Sequence, residues 1–213
     1  MMVYRRLLSS YGKQYWWPGD SPFEVMVGAV LTQNTAWSNV ERAILALKKA
    51  GVLDAQSIVN MTSKRLAGLI RPSGYFNIKA KRLKHFCLWY LENGGHASLK
   101  RWKTRHLRRS VLAVHGVGPE TADDMLLYAF NRPVFVIDAY TRRIFVRLGL
   151  IVADQGYETM RAMFEAMLGP DTALYNEYHA LLVKHGKDVC RSAPRCAHCC
   201  LVTHCTAGQY NTK

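Results

Sequence analysis

With 213 residues, the chain is long enough for one large domain or two small domains with a sizeable core. Its 29 lysines and arginines exceed its 15 acidic residues, which gives a net charge of +14. This excess favours a polyanionic partner, above all nucleic acid, over a basic surface kept only for solubility. No apolar run approaches the roughly 20 residues of a membrane span, and Met1 to Ser10 are too polar for a signal peptide, so we expect an intracellular protein.

The first third of the chain predicts helices around one core helix. Residues 1–20 form an aromatic lead-in that ends in a turn, where Asp20 or Ser21 can cap a helix beginning at Pro22. This helix is apolar almost all round as far as Leu31, so we expect it to be buried.

The remaining elements continue the helical pattern. A turn-rich break at 71–77 precedes a helix with one basic side, and Val134 to Ile137 form a short extended entry to Asp138, which is placed like a helix N-cap. The other predicted elements are helices over 40–49, one or two over 57–70, and helices over 78–91, 104–114, 139–148, 157–168 and 172–184, with a loop over 93–96. No strand pair, repeat or low-complexity linker is evident, and the predicted fold class is all-α.

A Gly-Val-Gly-Pro stretch, residues 116 to 119, joins two predicted helices within 108–130. Gly116 and Gly118 permit positive φ, so the chain can turn within a few residues and point backbone N–H groups outward together. Pro119 suits the first position of the following helix. The stretch therefore reads as a helix-hairpin-helix with an anion site, or equally as an ordinary turn between helices.

Five of the six cysteines lie between residues 190 and 205. Cys190-x5-Cys196-x2-Cys199-x5-Cys205 offers four thiolates in a short loop, with Cys200 as a spare. In a reducing compartment this spacing favours a [4Fe-4S] cluster over disulfides. A four-cysteine zinc site is the alternative, but zinc sites usually show two Cys-x2-Cys pairs. Spacing leaves open which of Cys199 and Cys200 is the ligand.

Taken together, these motifs resemble the endonuclease III superfamily of DNA glycosylases. The matching stretches are Ser-Pro-Phe-Glu at 21–24, Leu-Thr-Gln-Asn-Thr at 31–35, Gly-Tyr-Phe-Asn at 74–77 with Lys-Ala at 79–80, the hairpin, Asp138 and the cysteines. The resemblance implies two lobes: a six-helix barrel over 21–130, and a terminal domain of 1–20 plus 131–213 with an iron–sulfur cluster. It implies the ligands Cys190, Cys196, Cys199 and Cys205. The family usually has six residues between the first two ligands, and this chain has five, a departure in loop geometry.

The resemblance also implies a mechanism. Asp138 takes the position of the catalytic carboxylate, which stabilises the positive charge that develops on the deoxyribose as the base departs. Bifunctional members carry a lysine two residues after the last hairpin glycine, and Glu120 stands there in this chain. A carboxylate cannot form the Schiff base that strand cleavage requires, so we predict base release alone. If Glu120 has no catalytic role, it is an acidic residue at the start of a helix, where the helix dipole favours negative charge.

A base pocket is predicted from aromatic side chains. Its members are Trp16, Trp17, Trp37 and Asn34, and Gln33 is the predicted wedge that fills the gap left by the flipped base. Electron-rich indoles favour a cationic alkylated purine such as 3-methyladenine. In this respect the chain is similar to the bacterial 3-methyladenine glycosylase branch. Alternatively, the tryptophans belong to a core between the two domains, and Gln33 caps the C-terminus of a helix.

The expected partner is double-stranded DNA with a damaged or mismatched base, bound by a monomer. The residues predicted to contact phosphate are Gly116, Gly118, Lys79, Lys81, Lys184, Lys187, Arg191 and Arg195. The alternative for each glycine is an ordinary turn residue, and for each lysine or arginine a solvated surface residue. The resemblance adds a monovalent cation on the carbonyls of 114–117. Three alternatives remain open: a mismatch glycosylase that removes thymine, uracil or adenine, a non-catalytic damaged-DNA-binding module, and a redox carrier built on the cysteine loop.

Overall fold

A computed structural model describes residues 1–211, with side chains as far as Gln209. Helices are the only regular secondary structure in this part of the chain, joined by turns and irregular segments, so the all-α prediction is confirmed. The chain forms two compact units. The terminal unit consists of Met1–Trp17 and the chain from Pro133 onward, and the central unit is Pro18–Arg132. The predicted boundaries at 20 and 130 fall within three residues of these, and the predicted terminal domain ends at 213, outside the described residues.

The central unit contains eight α-helices and a short 3-10 helix over Arg71–Ser73. The α-helices are α2 (Pro22–Leu31), α3 (Trp37–Lys49), α4 (Ala55–Asn60), α5 (Ser63–Leu69), α6 (Phe76–Glu92), α7 (Gly95–Leu99), α8 (Thr104–Leu112) and α9 (Pro119–Asp124). A π-helical turn over Met125–Ala129 continues α9, and α7 begins inside the predicted loop at 93–96. The six-helix barrel that the resemblance implies stays a prediction.

The second helix, α2, forms the core of the central unit. Its N-cap is Ser21, whose Oγ accepts the backbone N–H of Glu24 at 3.2 Å, and Pro22 takes the first position. Every residue from Glu24 to Leu31 is buried, and α2 packs against α3, α6 and α9. Each large apolar side chain buried here contributes about 1.5–3 kcal/mol. Glu24 is tolerated in the core because Lys48 pairs with it at 2.7 Å.

Among the described residues, the terminal unit contains five α-helices. One precedes the central unit in the chain, and the set is α1 (Met2–Tyr11), α10 (Ala139–Arg147), α11 (Tyr157–Leu168), α12 (Thr172–Asp188) and α13 (Thr206–Asn211). The core of this unit is aromatic, with Phe135 stacked on Phe164 at 4.4 Å. Within the described residues, no helix is long and apolar enough to cross a membrane.

Residues 1–20 were predicted to be an aromatic lead-in, with no helix assigned there, whereas residues 2–11 form α1. Val3 and Leu7 are four residues apart and both buried, so they form one apolar face of α1, which packs on α12. The aromatic residues around them obscured this spacing. The final helix, α13, was not predicted either.

Candidate functional site

The hairpin between α8 and α9 turns at a single glycine. Gly116 has a φ of +90°, and the N–H of Val117 donates to the carbonyl of Val114 at 3.0 Å. Gly118 has a φ of −93°, so the hairpin does not use the positive φ that glycine permits at that position. Residue 116 must be glycine for a second reason, because a Cβ there would lie 2.3 Å from Cγ of Arg82.

Two of the hairpin carbonyls predicted to hold a cation already accept hydrogen bonds. Val114 accepts from Val117, and Gly116 accepts from Nε2 of Gln33 at 3.1 Å. A carbonyl oxygen has two lone pairs, so the cation site stays a prediction. Glu120 is exposed in the first turn of α9, where the helix dipole favours an acid.

The side chain of Gln33 joins α6 to the hairpin. Its Nε2 donates to the Gly116 carbonyl at 3.1 Å and to Oγ1 of Thr121 at 3.0 Å, while its Oε1 accepts from Arg82. The partners fix the orientation of the amide, because a carbonyl only accepts hydrogen bonds and a guanidinium only donates them. The predicted wedge role of Gln33 stays a prediction, since in this structure its amide contacts protein at both ends.

Asp138 is a buried carboxylate that caps α10. Its Oδ1 accepts the backbone N–H of Thr141 at 2.6 Å, and its Oδ2 lies 3.7 Å from Nε2 of His179. This 3.7 Å separation is longer than an ordinary hydrogen bond. Burial raises the pKa of Asp138, but the influence of His179 and the Thr141 amide outweighs it, so the pKa lies below the ordinary carboxyl value. The side chain is therefore an ionised carboxylate at neutral pH.

The predicted base-pocket residues are divided between the two units. In the terminal unit, Trp16 and Trp17 pack edge to face with ring centroids 5.8 Å apart, and Nζ of Lys187 lies 5.5 Å from the Trp16 ring. In the central unit, Trp37 begins α3 and is half-buried, and its indole N–H donates to a glutamate of the same helix. Asn34 is exposed with a left-handed φ of 52°. The pocket itself stays a prediction.

The prediction that Lys79 contacts phosphate is wrong. Its side chain is buried, with 1% exposure, and its Nζ donates to the carbonyls of Leu31 at 2.8 Å and Ser73 at 2.6 Å. Burial lowers the pKa of Lys79 to about 8, and the charge of Arg82 adds to this. Residue 79 lies on the face of α6 that packs into the unit, whereas the neighbouring Lys81 is exposed.

The other cations predicted to contact phosphate lie at the surface of the terminal unit. Lys184, Lys187, Arg191 and Arg195 are all exposed. Lys184 pairs with Asp188 at 2.8 Å, an exposed ion pair of the kind that contributes little to stability. Their contact with DNA stays a prediction.

Four cysteines of the loop after α12 line one cavity. They are Cys190, Cys196, Cys199 and Cys205. Cys200 belongs to the same described loop but does not line the cavity, and its carbonyl accepts a hydrogen bond from Arg6 at 3.4 Å. The structure thus distinguishes Cys199 from Cys200, which the spacing did not.

A [4Fe-4S] cluster and a zinc ion, the group predicted from the sequence and its alternative, require different arrangements of four cysteine ligands. Within the described residues, no three His, Cys, Asp or Glu side chains converge on a point where one metal ion could be held. A zinc ion requires its ligands about 2.3 Å from a single centre. A [4Fe-4S] cluster takes one thiolate on each of four irons, so its cysteines stand further apart. Four thiolates around one cavity are compatible with a cluster, and the cluster itself stays a prediction.

Sequence reasoning missed the arginines that hold the cysteine loop. Arg143 donates to the carbonyls of Cys190 and Gly186, both at 2.8 Å, and Arg147 donates to the next two carbonyls after Cys190 at 2.5 and 2.9 Å. The signal was their spacing of four residues, which puts both on one face of α10.

Residues 27–170, more than half of the chain, match the family described as HhH-GPD superfamily base excision DNA repair protein. Over 206 residues the chain is 47% identical to a protein of Methanocaldococcus jannaschii named "Putative DNA repair glycosylase MJ1434", which covers 95% of this chain and 94% of that protein. It is 28% identical over 185 residues to Endonuclease III of Thermotoga maritima, covering 86% and 82%.

Solved structures that are similar to this one include a 3-methyladenine DNA glycosylase and an Endonuclease III complex. The 3-methyladenine DNA glycosylase MagIII of H. pylori, bound to 1,N6-ethenoadenine, has a TM-score of 0.77 at 28% identity and covers 87% of this chain and 96% of that chain. A non-covalent Endonuclease III–DNA complex has a TM-score of 0.85 at 18% identity and covers 99% and 95%. At 18% identity, the similarity to the Endonuclease III complex shows that the two proteins share a fold.

Proposed function

Since the chain belongs to the HhH-GPD superfamily of base excision DNA repair proteins and is one of its DNA glycosylases, we propose that it hydrolyses the N-glycosidic bond without cutting the strand. Asp138 is the catalytic carboxylate in this proposal. Damaged double-stranded DNA is the substrate.

The observation that carries the proposal is the state of Asp138. Its carboxylate is buried, ionised and fixed at Oδ1 by the Thr141 amide. As the base leaves, positive charge grows at C1′ of the deoxyribose, and a preorganised negative charge stabilises that transition state without reorganisation. The same carboxylate can orient the water that then adds to C1′.

The absence of strand cleavage follows from Glu120. Strand cleavage in bifunctional enzymes begins when an amine attacks C1′ and forms an imine. A carboxylate contains no nitrogen, so it cannot form an imine. Glu120 is exposed at the start of α9 and serves there as a helix-start acid. The abasic site is therefore the end product.

An alkylated purine is the first candidate for the excised base. Stacking on indole rings offsets the cost of flipping a base out of the duplex, and a base that carries positive charge is already a good leaving group. A carboxylate without a strong general acid is then sufficient. The similarity to a 3-methyladenine glycosylase at 28% identity supports this substrate class.

Removal of a neutral base is the second candidate, and Lys187 favours it. Its ammonium lies 5.5 Å from the ring of Trp16, so one aromatic face of the proposed pocket already carries a cation. A second cation at that face would be repelled, whereas a neutral base with acceptor atoms would not. Hypoxanthine, ethenoadenine and mismatched thymine or uracil belong to this class.

The hairpin and the exposed cations provide the proposed contacts to the DNA backbone. Backbone N–H groups at the hairpin and the side chains of Lys81, Lys184, Lys187, Arg191 and Arg195 are the groups concerned. Binding through phosphates makes affinity fall with salt concentration.

The four cysteines that line the loop cavity are the proposed ligands of a [4Fe-4S] cluster. Cys190, Cys196, Cys199 and Cys205 would hold it, and the bound cluster would cross-link the loop after α12. Arg143 and Arg147 hold the same loop through its backbone carbonyls.

A panel of duplexes tests the function. Each contains one 3-methyladenine, hypoxanthine, ethenoadenine, thymine–guanine or adenine–8-oxoguanine site, and products are analysed with and without alkali. We expect the enzyme to release the base and the strand to break only after treatment with alkali. Breaks without alkali would contradict the lack of lyase chemistry, and tight lesion binding without base release would favour the non-catalytic module.

A further inference from the structure

Gln33 is held from two sides by α6. Nζ of Lys79 binds the carbonyl of Leu31, the last residue of α2, two positions before Gln33. Arg82, three positions after Lys79 and so near it on the helix face, binds Oε1 of Gln33. Both the backbone leading to Gln33 and its side chain are thereby fixed within the central unit.

The amide held in this way directs both of its N–H groups at the hairpin. One donates to the carbonyl of Gly116 at the turn, and the other to the hydroxyl of Thr121 in the first turn of α9. Thr121 is buried, so Gln33 supplies a partner that water does not. The amide thus bridges the start of the Gly-Val-Gly-Pro turn and the first turn of α9.

The carbonyl that Gln33 binds belongs to a residue with little freedom. Gly116 has a left-handed backbone, and the aliphatic stem of Arg82 packs so closely that a Cβ at 116 would lie 2.3 and 2.7 Å from its Cγ and Cδ. Arg82 therefore contacts the turn directly and through Gln33. Both contacts restrain the same peptide unit.

We propose that Gln33 is a positioning residue of the hairpin, which keeps the turn in its phosphate-binding form before DNA arrives. The inference rests on the proposed function, in which the hairpin binds phosphate groups of DNA. A wedge that enters the duplex would have to give up three hydrogen bonds made inside the central unit. The positioning role makes hairpin affinity, and not base flipping, the property that Gln33 controls.

The test measures affinity for an undamaged duplex by fluorescence anisotropy at several salt concentrations. Gln33→Met keeps the bulk of the side chain and removes its donors, and Thr121→Val removes the acceptor without touching residue 33. Each is expected to weaken binding about three- to tenfold and to lower the salt slope, and the double variant to weaken it no further. Thr121→Ser restores the hydroxyl and is expected to bind like wild type.

Gln56→Met is the matched control, since Gln56 on α4 is exposed and its Nε2 donates only to Asn60 at 3.1 Å. Its affinity should be unchanged. The proposal is overturned if Gln33→Met binds undamaged duplex like wild type yet releases base more slowly, which is the behaviour of a wedge. It is also overturned if Thr121→Val and Thr121→Ser bind equally well, a comparison that holds even if the Gln33 variant fails to fold. A wild type that releases no base from any lesion would defeat the glycosylase proposal but leave these affinity comparisons standing.

Discussion

The backbone N–H of Thr141 donates to Oδ1 of Asp138 at 2.6 Å, so the first turn of α10 holds one oxygen of the carboxylate in place. The bond satisfies an N–H that has no partner within the helix, which is the usual work of an N-cap. It also fixes the orientation of a charge before substrate binds. Capping and catalysis are therefore compatible uses of this side chain.

Substitution of Asp138 by asparagine should separate these two uses. Asparagine caps a helix about as well as aspartate, so the free energy of unfolding should change by no more than about 1 kcal/mol. Loss of the negative charge should slow base release about 100- to 1000-fold in single-turnover assays. Asp171→Asn is the matched control, because Asp171 caps α12 through the Leu174 amide at 3.0 Å, and it should release base at the wild-type rate. Equal rates for wild type and Asp138→Asn would exclude the catalytic role.

The lowered pKa of Asp138 predicts how activity depends on pH. Because the pKa in the folded protein lies below the ordinary carboxyl value, the carboxylate stays ionised as the pH falls from 7 to about 5. Base release should be constant over this range once the rate of Asp138→Asn has been subtracted. The stability that the ionised group contributes is present above its unfolded pKa of about 3.9 and is lost as pH falls through its folded pKa. A carboxyl titration above pH 5 in the rate profile would contradict this assignment.

The features predicted correctly from the sequence have local causes. The buried character of α2 follows from an apolar run, and its start follows from Ser21 and Pro22. The cap at Asp138 and the turn at Gly116 likewise depend on a few adjacent residues. Short-range physical preferences of this kind are visible in a single sequence.

The features that were missed depend on contacts between distant parts of the chain. Lys79 was predicted as a phosphate contact because it was assigned to the basic side of its helix, but the carbonyls of Leu31 and Ser73 make a buried site for its ammonium. Nothing near residue 79 in the sequence reports those partners. Glycine permits a left-handed conformation at both Gly116 and Gly118, and the sequence does not show that only Gly116 of the two adopts it.

The two lysines of α6 should respond differently to replacement by methionine. Lys79→Met leaves two buried carbonyls without their donor, so the free energy of unfolding should fall by about 2–4 kcal/mol in urea titrations. Lys81→Met should leave stability within about 0.5 kcal/mol but lower the slope of log affinity against log salt by about 1. The reverse assignment, with Lys79 setting the salt slope, would restore the phosphate role that its burial argues against.

Glu120 predicts the outcome of borohydride trapping. An enzyme that forms an imine with the abasic sugar becomes covalently attached to DNA when borohydride is present, and this chain should not. Glu120→Gln should release base within about threefold of wild type, because an exposed helix-start acid contributes only about 0.3–1 kcal/mol through the helix dipole. A borohydride-dependent complex would show that another amine in the chain carries out lyase chemistry.

Cys199 and Cys200 are adjacent in the sequence but differ in position, and this difference tests the cluster assignment. Cys199 lines the loop cavity with three other cysteines, whereas Cys200 does not. Cys199→Ser should therefore lower the iron and sulfide content per protein and the visible absorbance, and Cys200→Ser should leave them at the wild-type level. The loop would then lose a cross-link in the first variant only, so its protection from proteolysis should fall there alone. Stoichiometric zinc in the wild type would instead support the four-cysteine zinc site, and equal loss of iron in both variants would mean that the cavity does not identify the ligands.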